Sequence, residues 1–266
     1  MSTTATSTST AAPAIDVRQP SVPMLRLVKV ELRKLVDTRA GFWLAGSIVI
    51  ISALITAGML IWAEPQHLYF GDLFGVMNIP TGVLLPVLAI LLVTSEWGQR
   101  TGLVTFTLEP RRSRVVVAKL ATSLVAAAGA VVVALAFGAV GAVLAGVLRD
   151  GAGGWEITGA GLGNSILLQL LALLEGFGFA MLIMNSAAAI VLFFALPTAW
   201  MIIASIVPWL HEHVQPWADL ATAQTPFQGP DLASASEWAH LGVASVIWIA
   251  LPLALGIWRL LRAEVK

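Results

Sequence analysis

Six long apolar segments follow one another after residue 40, each close to the 17–25 residues that a helix needs to cross a lipid bilayer. They cover residues 42–62, 74–94, 122–148, 165–184, 187–209 and 241–258. Glu175 is the only charged residue in all six segments. Such segments predict transmembrane helices, because a helix satisfies its own backbone hydrogen bonds in lipid. We therefore expect an all-α integral membrane protein whose six transmembrane helices form one domain over residues 41–266.

The segment before the first span, residues 24–40, has a different pattern. Its apolar residues fall within about 120° of one side of a helix, and charged residues take the other side. The apolar residues are Met24, Leu25, Val28, Leu32, Leu35 and Val36, and the charged ones are Arg26, Lys29, Arg33 and Lys34. This pattern predicts an amphipathic interfacial helix on the membrane surface, with a solvated lead into the first span as the open alternative. Residues 1–23, rich in Ser, Thr and Pro, are expected to form a disordered polar tail.

The composition favours a lipid environment. Hydrophobic residues make up 58% of the 266 residues, charged residues make up 11%, and the mean hydropathy is +0.87. A soluble protein of this length needs more charged residues to cover its surface. The absence of cysteine excludes disulfides, thiolate metal sites and cysteine catalysis. No histidine falls within a predicted span, which disfavours an intramembrane serine hydrolase, and we predict neither a catalytic residue nor a metal site.

The distribution of Lys and Arg predicts the orientation in the membrane. Six of the fifteen precede the first span, five lie between spans two and three, and three follow the last span. Arg149, between spans three and four, is the remaining one. Because Lys and Arg accumulate in cytoplasmic loops, both termini and the loop between spans two and three are expected in the cytoplasm.

The loop between spans two and three, residues 95–119, is unusually long for a connection between two helices. It contains a short apolar stretch with Leu103, Phe106 and Leu108, which Pro110 ends and three arginines follow. A short apolar element just under the membrane suits docking to a cytosolic partner. The arginines are explained equally well by anchoring of the third span to anionic lipid headgroups.

This loop resembles that of membrane permeases of the type-2 ABC exporter family, especially compact six-span actinobacterial versions. In that family an acid and an aromatic residue precede an Arg-Thr step, a Thr-rich apolar helix, a proline with basic residues, and a lysine that opens the third span. The matching residues here are Glu96, Trp97, Arg100, Thr101, Thr105 to Leu108, Pro110, Arg111, Arg112, Arg114 and Lys119. The resemblance extends to residues 185–189 at the start of span five and to Phe194 and Pro197 within it. Gly102, where many relatives have a larger residue, departs from the pattern.

The resemblance implies a permease subunit in the bacterial plasma membrane that exports a hydrophobic or amphipathic solute such as a drug, a peptide antibiotic or a lipid. It would pair with a second permease copy or a close paralogue, and two copies of a cytosolic ABC ATPase would drive it. The loop would supply a coupling helix seated in the ATPase. The implied coupling residues are Glu96, Arg100, Thr101, Leu103, Phe106, Leu108, Pro110, Arg111, Arg112 and Arg114. The alternative is a permease-like subunit that transmits force or a signal, or supports assembly of another membrane system, without moving a solute.

No cofactor is expected on this chain. A phosphate-binding loop of the Walker type needs a Gly-Lys pair, and none of the four lysines follows a glycine. ATP and Mg²⁺ would therefore be bound by the partner ATPase, and we do not expect the chain to be an enzyme by itself. The lipid bilayer is its other partner, and no nucleic-acid partner is predicted.

Glu175 is the one ionisable residue deep in a predicted span, which makes it a functional candidate. One interpretation places it on the substrate path, facing a cavity where it contacts a solute or a proton. The other is a protonated carboxyl group that forms a hydrogen-bonded tie to Thr122, Ser123 or Thr198. The sequence alone does not distinguish them.

Overall fold

The structure is a computed structural model that describes residues 22–98, 105, 107, 109, 111–149 and 153–262. Within these ranges it contains helices and turns and no β-strand. In chain order the α-helices are α1 (Met24–Asp37), α2 (Arg39–Trp62), α3 (Phe70–Val76), α4 (Asn78–Gly98), α5 (Arg112–Leu148), α6 (Gly159–Ile183), α7 (Ser186–Ile206), α8 (Pro208–His213), α9 (Gln215–Ala218), α10 (Leu220–Gln224), α11 (Ala235–Ser245) and α12 (Leu251–Arg262). Two 3₁₀ turns cover Pro65–His67 and Thr225–Gln228, and a π-helical turn at Val246–Ala250 joins α11 to α12.

Six helical units in the described ranges are long and apolar enough to cross a membrane. They are α2, α3 with α4 (Phe70–Gly98), α5, α6, α7, and α11 with α12 (Ala235–Arg262). By length and composition, the prediction of a helical protein with six spanning helices is therefore confirmed. The fifth unit ends at Ile206 and not at the predicted residue 209, because Pro208 holds Val207 in extended backbone and starts a separate short helix.

The spanning helices alternate in direction, so the bundle has two ends with different connections. We call the end that carries α1 and the last turn of α12 the terminal end. There, Arg112 donates a hydrogen bond to the Leu260 carbonyl at 2.6 Å, and Arg259 donates one to the Leu182 carbonyl at 2.8 Å. At the opposite end, the distal end, the chain after α2 pairs with the chain after α5 through backbone hydrogen bonds.

The centre of the bundle is α6, which packs against α4 on one side and α12 on the other. Its Phe177 and Met181 are fully buried. Two glycines allow the helices to approach closely. A side chain at Gly176 would come within 2.8 Å of the Pro86 backbone, and one at Gly256 within 2.5 Å of the Met181 backbone. Small residues at such crossings permit the tight packing on which helix association in lipid depends.

The first helix, α1, packs against α5 through a face centred on Glu31. This face overlaps one edge of the predicted apolar side, whereas Leu25 and Val36 at the other edge are largely exposed. Lys29 and Arg33 are exposed on a third side. The helix thus has a packed face, an apolar exposed flank and a basic exposed side, which is the arrangement expected at a membrane surface beside a protein.

The connection between the fifth and sixth spans, residues 207–234, folds back onto the bundle. Leu220 and Phe227 are buried in the main hydrophobic core. Asn164 of α6 donates hydrogen bonds from Nδ2 to the carbonyls of Gly229 and Asp231, both at 3.1 Å. The connection therefore covers the distal end of α6.

Candidate functional site

Two groups of buried polar residues lie at opposite ends of the bundle. At the terminal end, four charged side chains from three helices form what we call the charge network: Glu31 and Lys34 of α1, Glu96 of α4 and Lys119 of α5. Glu31 Oε1 lies 2.6 Å from Lys34 Nζ, and Glu31 Oε2 lies 2.8 Å from Lys119 Nζ. Glu96 Oε1 lies 3.3 Å from Lys34 Nζ and 3.6 Å from Lys119 Nζ. Lys119 also donates a hydrogen bond to the Leu92 carbonyl at 2.9 Å.

The network is withdrawn from solvent, since Glu31, Glu96 and Lys119 are each buried. Burial by itself would raise the pKa of Glu31, but the ion pairs with Lys119 and Lys34 outweigh it and hold that pKa below its ordinary value. Burial would likewise lower the pKa of Lys34, but its pairing with Glu31 and Glu96 raises that pKa above its ordinary value. The charge network fastens α1 to the ends of α4 and α5, the two helices that the long loop connects.

Of these four residues, Glu96 was a predicted coupling residue, and Lys119 was part of the sequence pattern that resembles the permease family. Sequence reasoning missed Glu31 and assigned Lys34 only to the solvated side of α1. A signal was present, because Glu31 lies on the apolar side of the helical wheel, next to Met24. A carboxylate in that position needs a cationic partner when the helix packs.

The arginines that follow the loop contact neighbouring segments. Arg112 reaches the last turn of α12, as described above, while Arg114 donates a hydrogen bond to the Val22 carbonyl and lies 3.6 Å from the carboxylate of Glu109. Arg111 is exposed at the start of α5. The other predicted coupling residues lie outside the described residues: Arg100, Thr101, Leu103, Phe106, Leu108 and Pro110.

At the distal end, a cavity of about 1020 Å³ lies between α3, α4, α6, α7 and the connection after α7. Its apolar lining residues include Phe74, Leu168, Phe193, Phe194 and Pro197. Exposed residues of the distal connections also line it, including His67, Asp72 and Glu156. The cavity is therefore open at the distal end, and its size suits a drug-sized molecule.

A chain of neutral polar side chains crosses the cavity lining. Asn78 donates a hydrogen bond from Nδ2 to Ser165 Oγ at 3.1 Å, and Gln169 donates one from Nε2 to Asn78 Oδ1 at 3.0 Å. Gln169 is only 2% exposed, and its Oε1 atom has no hydrogen-bond donor among the described residues. These residues were not predicted from the sequence, although polar side chains inside apolar spans were a visible signal.

Glu175 lines the same cavity from α6 and is 8% exposed. It lies about 15 Å deeper along the helix than Ser165, at 1.5 Å per residue. No hydrogen bond joins its carboxyl group to another described residue. Of the proposed tying residues, Thr122 donates to the Val28 carbonyl and Thr198 to the Phe194 carbonyl.

A second buried carboxylate lies near Glu175. Asp219, at the start of α10, is 1% exposed and close enough to interact electrostatically with Glu175. Its Oδ2 atom accepts hydrogen bonds from the backbone N–H and hydroxyl of Thr222 and from Gln215 Nε2, which fixes the start of that short helix. The Oδ1 atom has no donor among the described residues. The interior near Glu175 is therefore rich in hydrogen-bond acceptors.

Compared with known protein families and with curated proteins, the chain matches none.

Proposed function

We propose that this chain is the permease subunit of an ATP-driven type-2 ABC exporter, set in the bacterial plasma membrane with both termini in the cytoplasm. It pairs with a second permease chain, and two cytosolic ATPase subunits bind ATP and Mg²⁺ and drive the complex. The exported solute is hydrophobic or amphipathic. The six spanning helices and the loop sequence between the second and third spans support this proposal.

The observation that carries the proposal is the charge network at the ends of that loop. Glu96 lies before the loop and Lys119 lies after it, and their side chains are 3.6 Å apart in a buried position. Lys119 is also paired with Glu31 of α1 at 2.8 Å. A loop whose two ends are fastened to each other and to a surface helix transmits a push from a cytosolic partner to α4 and α5 together.

One helix connects this network to the distal cavity. Helix α4 contributes Asn78, Ile79 and Gly82 to the cavity lining, and it carries Glu96 at its other end. The distance from Asn78 to Glu96 along the helix is about 27 Å at 1.5 Å per residue. Displacement of α4 by the loop would therefore change the shape of the cavity, as alternating access requires.

The proposed orientation rests on the counts of Lys and Arg. Arg149 is the exception to the count, and its position has a structural reason. Arg149 donates hydrogen bonds from its guanidinium to the carbonyls of Leu60, Ile61 and Ala63, at the end of α2. It therefore satisfies carbonyls that the helix leaves free, and a positive charge at a helix C-terminus is also favourable.

Single cysteines test this orientation cleanly, because the chain has none of its own. Leu232→Cys, at an exposed distal position, should be labelled in intact cells by a membrane-impermeant thiol reagent. Ser113→Cys, exposed at the terminal end, should be labelled only after the cells are permeabilised. The opposite pattern would overturn the proposed orientation.

The exporter function is tested by purifying the affinity-tagged chain from its native membranes. An ABC ATPase should co-purify, and the reconstituted complex should hydrolyse ATP and move solute only with ATP. Phe106→Ala, in the loop, should remove an anchor worth about 2 kcal/mol or more at an interface hot spot, so that the ATPase is lost while the chain still inserts. The matched control is Val117→Ala, which truncates an exposed apolar residue on α5.

Three results would count against this function. Purification without any ATPase would count against an ATP-driven complex. A Phe106→Ala complex with normal ATPase binding and transport would exclude the loop as the coupling element. ATP hydrolysis that never moves a solute would favour the permease-like alternative.

A further inference from the structure

The distal cavity combines an apolar surface with unpaired acceptors. Phe193, Phe194 and Pro197 of α7 form one wall, and Phe74 and Leu168 contribute to the rest. A cavity with apolar walls and a few convergent polar atoms is typical of a binding site for an organic molecule. The polar atoms then decide which kind of molecule is bound.

Two side chains of α6 in the lining carry acceptors without donors among the described residues. Gln169 is nearly inaccessible to solvent, and its Oε1 atom has no hydrogen-bond donor among the described residues. The carboxyl group of Glu175 has no hydrogen bond to another described residue and lines the same space. A buried acceptor without a donor is unfavourable. A ligand that brings an N–H group to the Glu175 carboxyl relieves that cost there.

The ionisable side chains of the lining are acidic, apart from one histidine. Among the described lining residues are three acids, Asp72, Glu156 and Glu175, and no Lys or Arg. His67 Nδ1 lies 3.6 Å from the Asp72 carboxylate, at the exposed rim. Arg149, the only Lys or Arg between the third and fourth spans, is engaged by the carbonyls at the end of α2. A cavity with this lining attracts cations and repels anions.

We propose that the distal cavity binds an amphipathic organic cation, whose protonated nitrogen lies at Glu175 and whose apolar body packs on Phe193 and Phe194. The proposal names the solute class of the suggested exporter and in that respect rests on the proposed function. Binding itself requires no ATPase, so the two can fail separately. Aromatic side chains beside a carboxylate also favour a cation through their π faces.

An inorganic cation fits the same residues less well. Sodium, magnesium and calcium ions take several oxygen ligands arranged around one point, as the six to eight ligands of Ca²⁺ show. In the described part of the chain, no group of three or more acidic or histidine side chains is arranged to hold a metal ion. The apolar wall formed by α7 gives such an ion nothing to bind.

The test uses the full-length chain in phosphatidylcholine nanodiscs, whose lipid has no net charge, and three ligands with the same three-ring shape. These are 9-aminoacridine, a cation at neutral pH; acridine, which is uncharged; and anthracene-9-carboxylate, an anion. Fluorescence titration should show saturable binding of the cation and binding of the other two that is about tenfold weaker or more, the ratio expected for one charge-assisted hydrogen bond.

Variants assign this binding to the cavity. Glu175→Gln should weaken binding of 9-aminoacridine by about tenfold or more, and Gln169→Leu should weaken it by a smaller factor. Glu64→Gln is the matched control, because Glu64 is exposed at the distal end but is not among the lining residues, and it should leave binding unchanged. Gln224→Lys places a positive charge in the lining at a half-buried position, and it should weaken cation binding even if Glu175→Gln folds poorly.

Two results would overturn the proposal, and a third would separate it from the exporter function. Equal affinity for the three ligands, insensitive to Glu175→Gln and Gln224→Lys, would mean partition into lipid. Displacement of 9-aminoacridine by millimolar Na⁺ or Mg²⁺ but not by a second organic amine would mean an inorganic cation site. Specific cation binding in a complex that moves no solute with ATP would refute the exporter and leave the site intact.

Discussion

The charge network at the terminal end and the cavity at the distal end both contain buried polar groups. They differ in whether the protein itself supplies partners for these groups. The network holds two carboxylates and two ammonium groups from three helices, at separations of 2.6–3.6 Å, and only Glu96 Oε2 among its atoms has no hydrogen-bond partner in the described residues. The cavity holds a carboxylate and an amide oxygen for which the described residues supply no donor. A buried polar group that the protein itself compensates holds helices together, whereas one that it leaves uncompensated is available to a ligand.

The first prediction removes the most buried cation of the network. Lys119→Met leaves Glu31 and Glu96 buried with only the half-buried Lys34 between them. Removing one member of a buried ion pair destabilises a protein by about 3–5 kcal/mol, because the remaining charge stays buried. We expect the protein in nanodiscs to unfold at a lower temperature. We also expect α1 to be released, so that its backbone amides exchange hydrogen faster. An unchanged profile for α1 would refute the structural role of the network.

The second prediction exchanges the charge at the cavity. Glu175→Lys places an ammonium group deep in a span, at a cost of about 2.5–3.5 kcal/mol on membrane-insertion scales, so the inserted fraction should fall. Glu175→Gln, which keeps the volume, should change thermal stability by less than about 1 kcal/mol, because no described residue donates a hydrogen bond to this carboxyl. If Glu175→Gln were as unstable as Lys119→Met, Glu175 would be a structural residue. The charge network and the cavity would then not differ in how far their buried polar groups stabilise the protein.

The same comparison shows what the sequence could and could not predict. The six spans follow from long apolar runs, and Glu175 could be predicted as special because it is alone among them. The pairing of Glu31 with Lys119 could not be predicted, since the two residues are 88 positions apart and depend on how α1 docks. The unpaired oxygen of Gln169 likewise appears only when its neighbours are in place.

The predicted apolar side of α1 did not show which part of it would face the protein, for a physical reason. Periodicity finds the side with most apolar residues, but it does not tell lipid from protein as the apolar surroundings. In the structure, Leu25 and Val36 are exposed, at positions that suit lipid, and Glu31 faces the protein because Lys119 is there. A helix at a membrane surface beside a protein has two apolar environments, and a single hydrophobic arc does not resolve them.

The third prediction concerns the pH dependence of α1 docking. Glu31 is faced by Lys34 on its own helix and by Lys119 on α5, and Lys34 is also faced by Glu96 on α4. The folded-state pKa of Glu31 lies below its ordinary 4.5, so its contribution is complete above about 4.5 and is lost as the pH falls through the lowered value. The folded-state pKa of Lys34 lies above its ordinary 10.5, so its contribution is complete below about 10.5 and is lost as the pH rises through the raised value.

A spin label reports this docking in nanodiscs. Attached at Val30→Cys, on the exposed side of α1, it should show constant mobility between about pH 4.5 and 10.5 and greater mobility outside that window. With Lys119→Met as a second substitution, the label should already be mobile at neutral pH. If the label in the Lys119→Met variant were no more mobile at neutral pH than in the parent chain, apolar packing alone would hold α1.

The smallest effect is expected for the ion pair that lies outside both regions. Arg33 Nε and Asp37 Oδ2 are 3.2 Å apart on α1, close to the Lys34–Glu96 distance, but the two side chains are 83% and 64% exposed. Water and salt screen such a pair, and exposed pairs at this helical spacing contribute about 0.3–0.5 kcal/mol. Arg33→Ala should therefore shift thermal inactivation far less than Lys119→Met, and the shift should vanish at high salt. If Arg33→Ala were as damaging as Lys119→Met, the basic side of α1 rather than the buried network would hold this helix in place, through contacts with lipid headgroups or a partner.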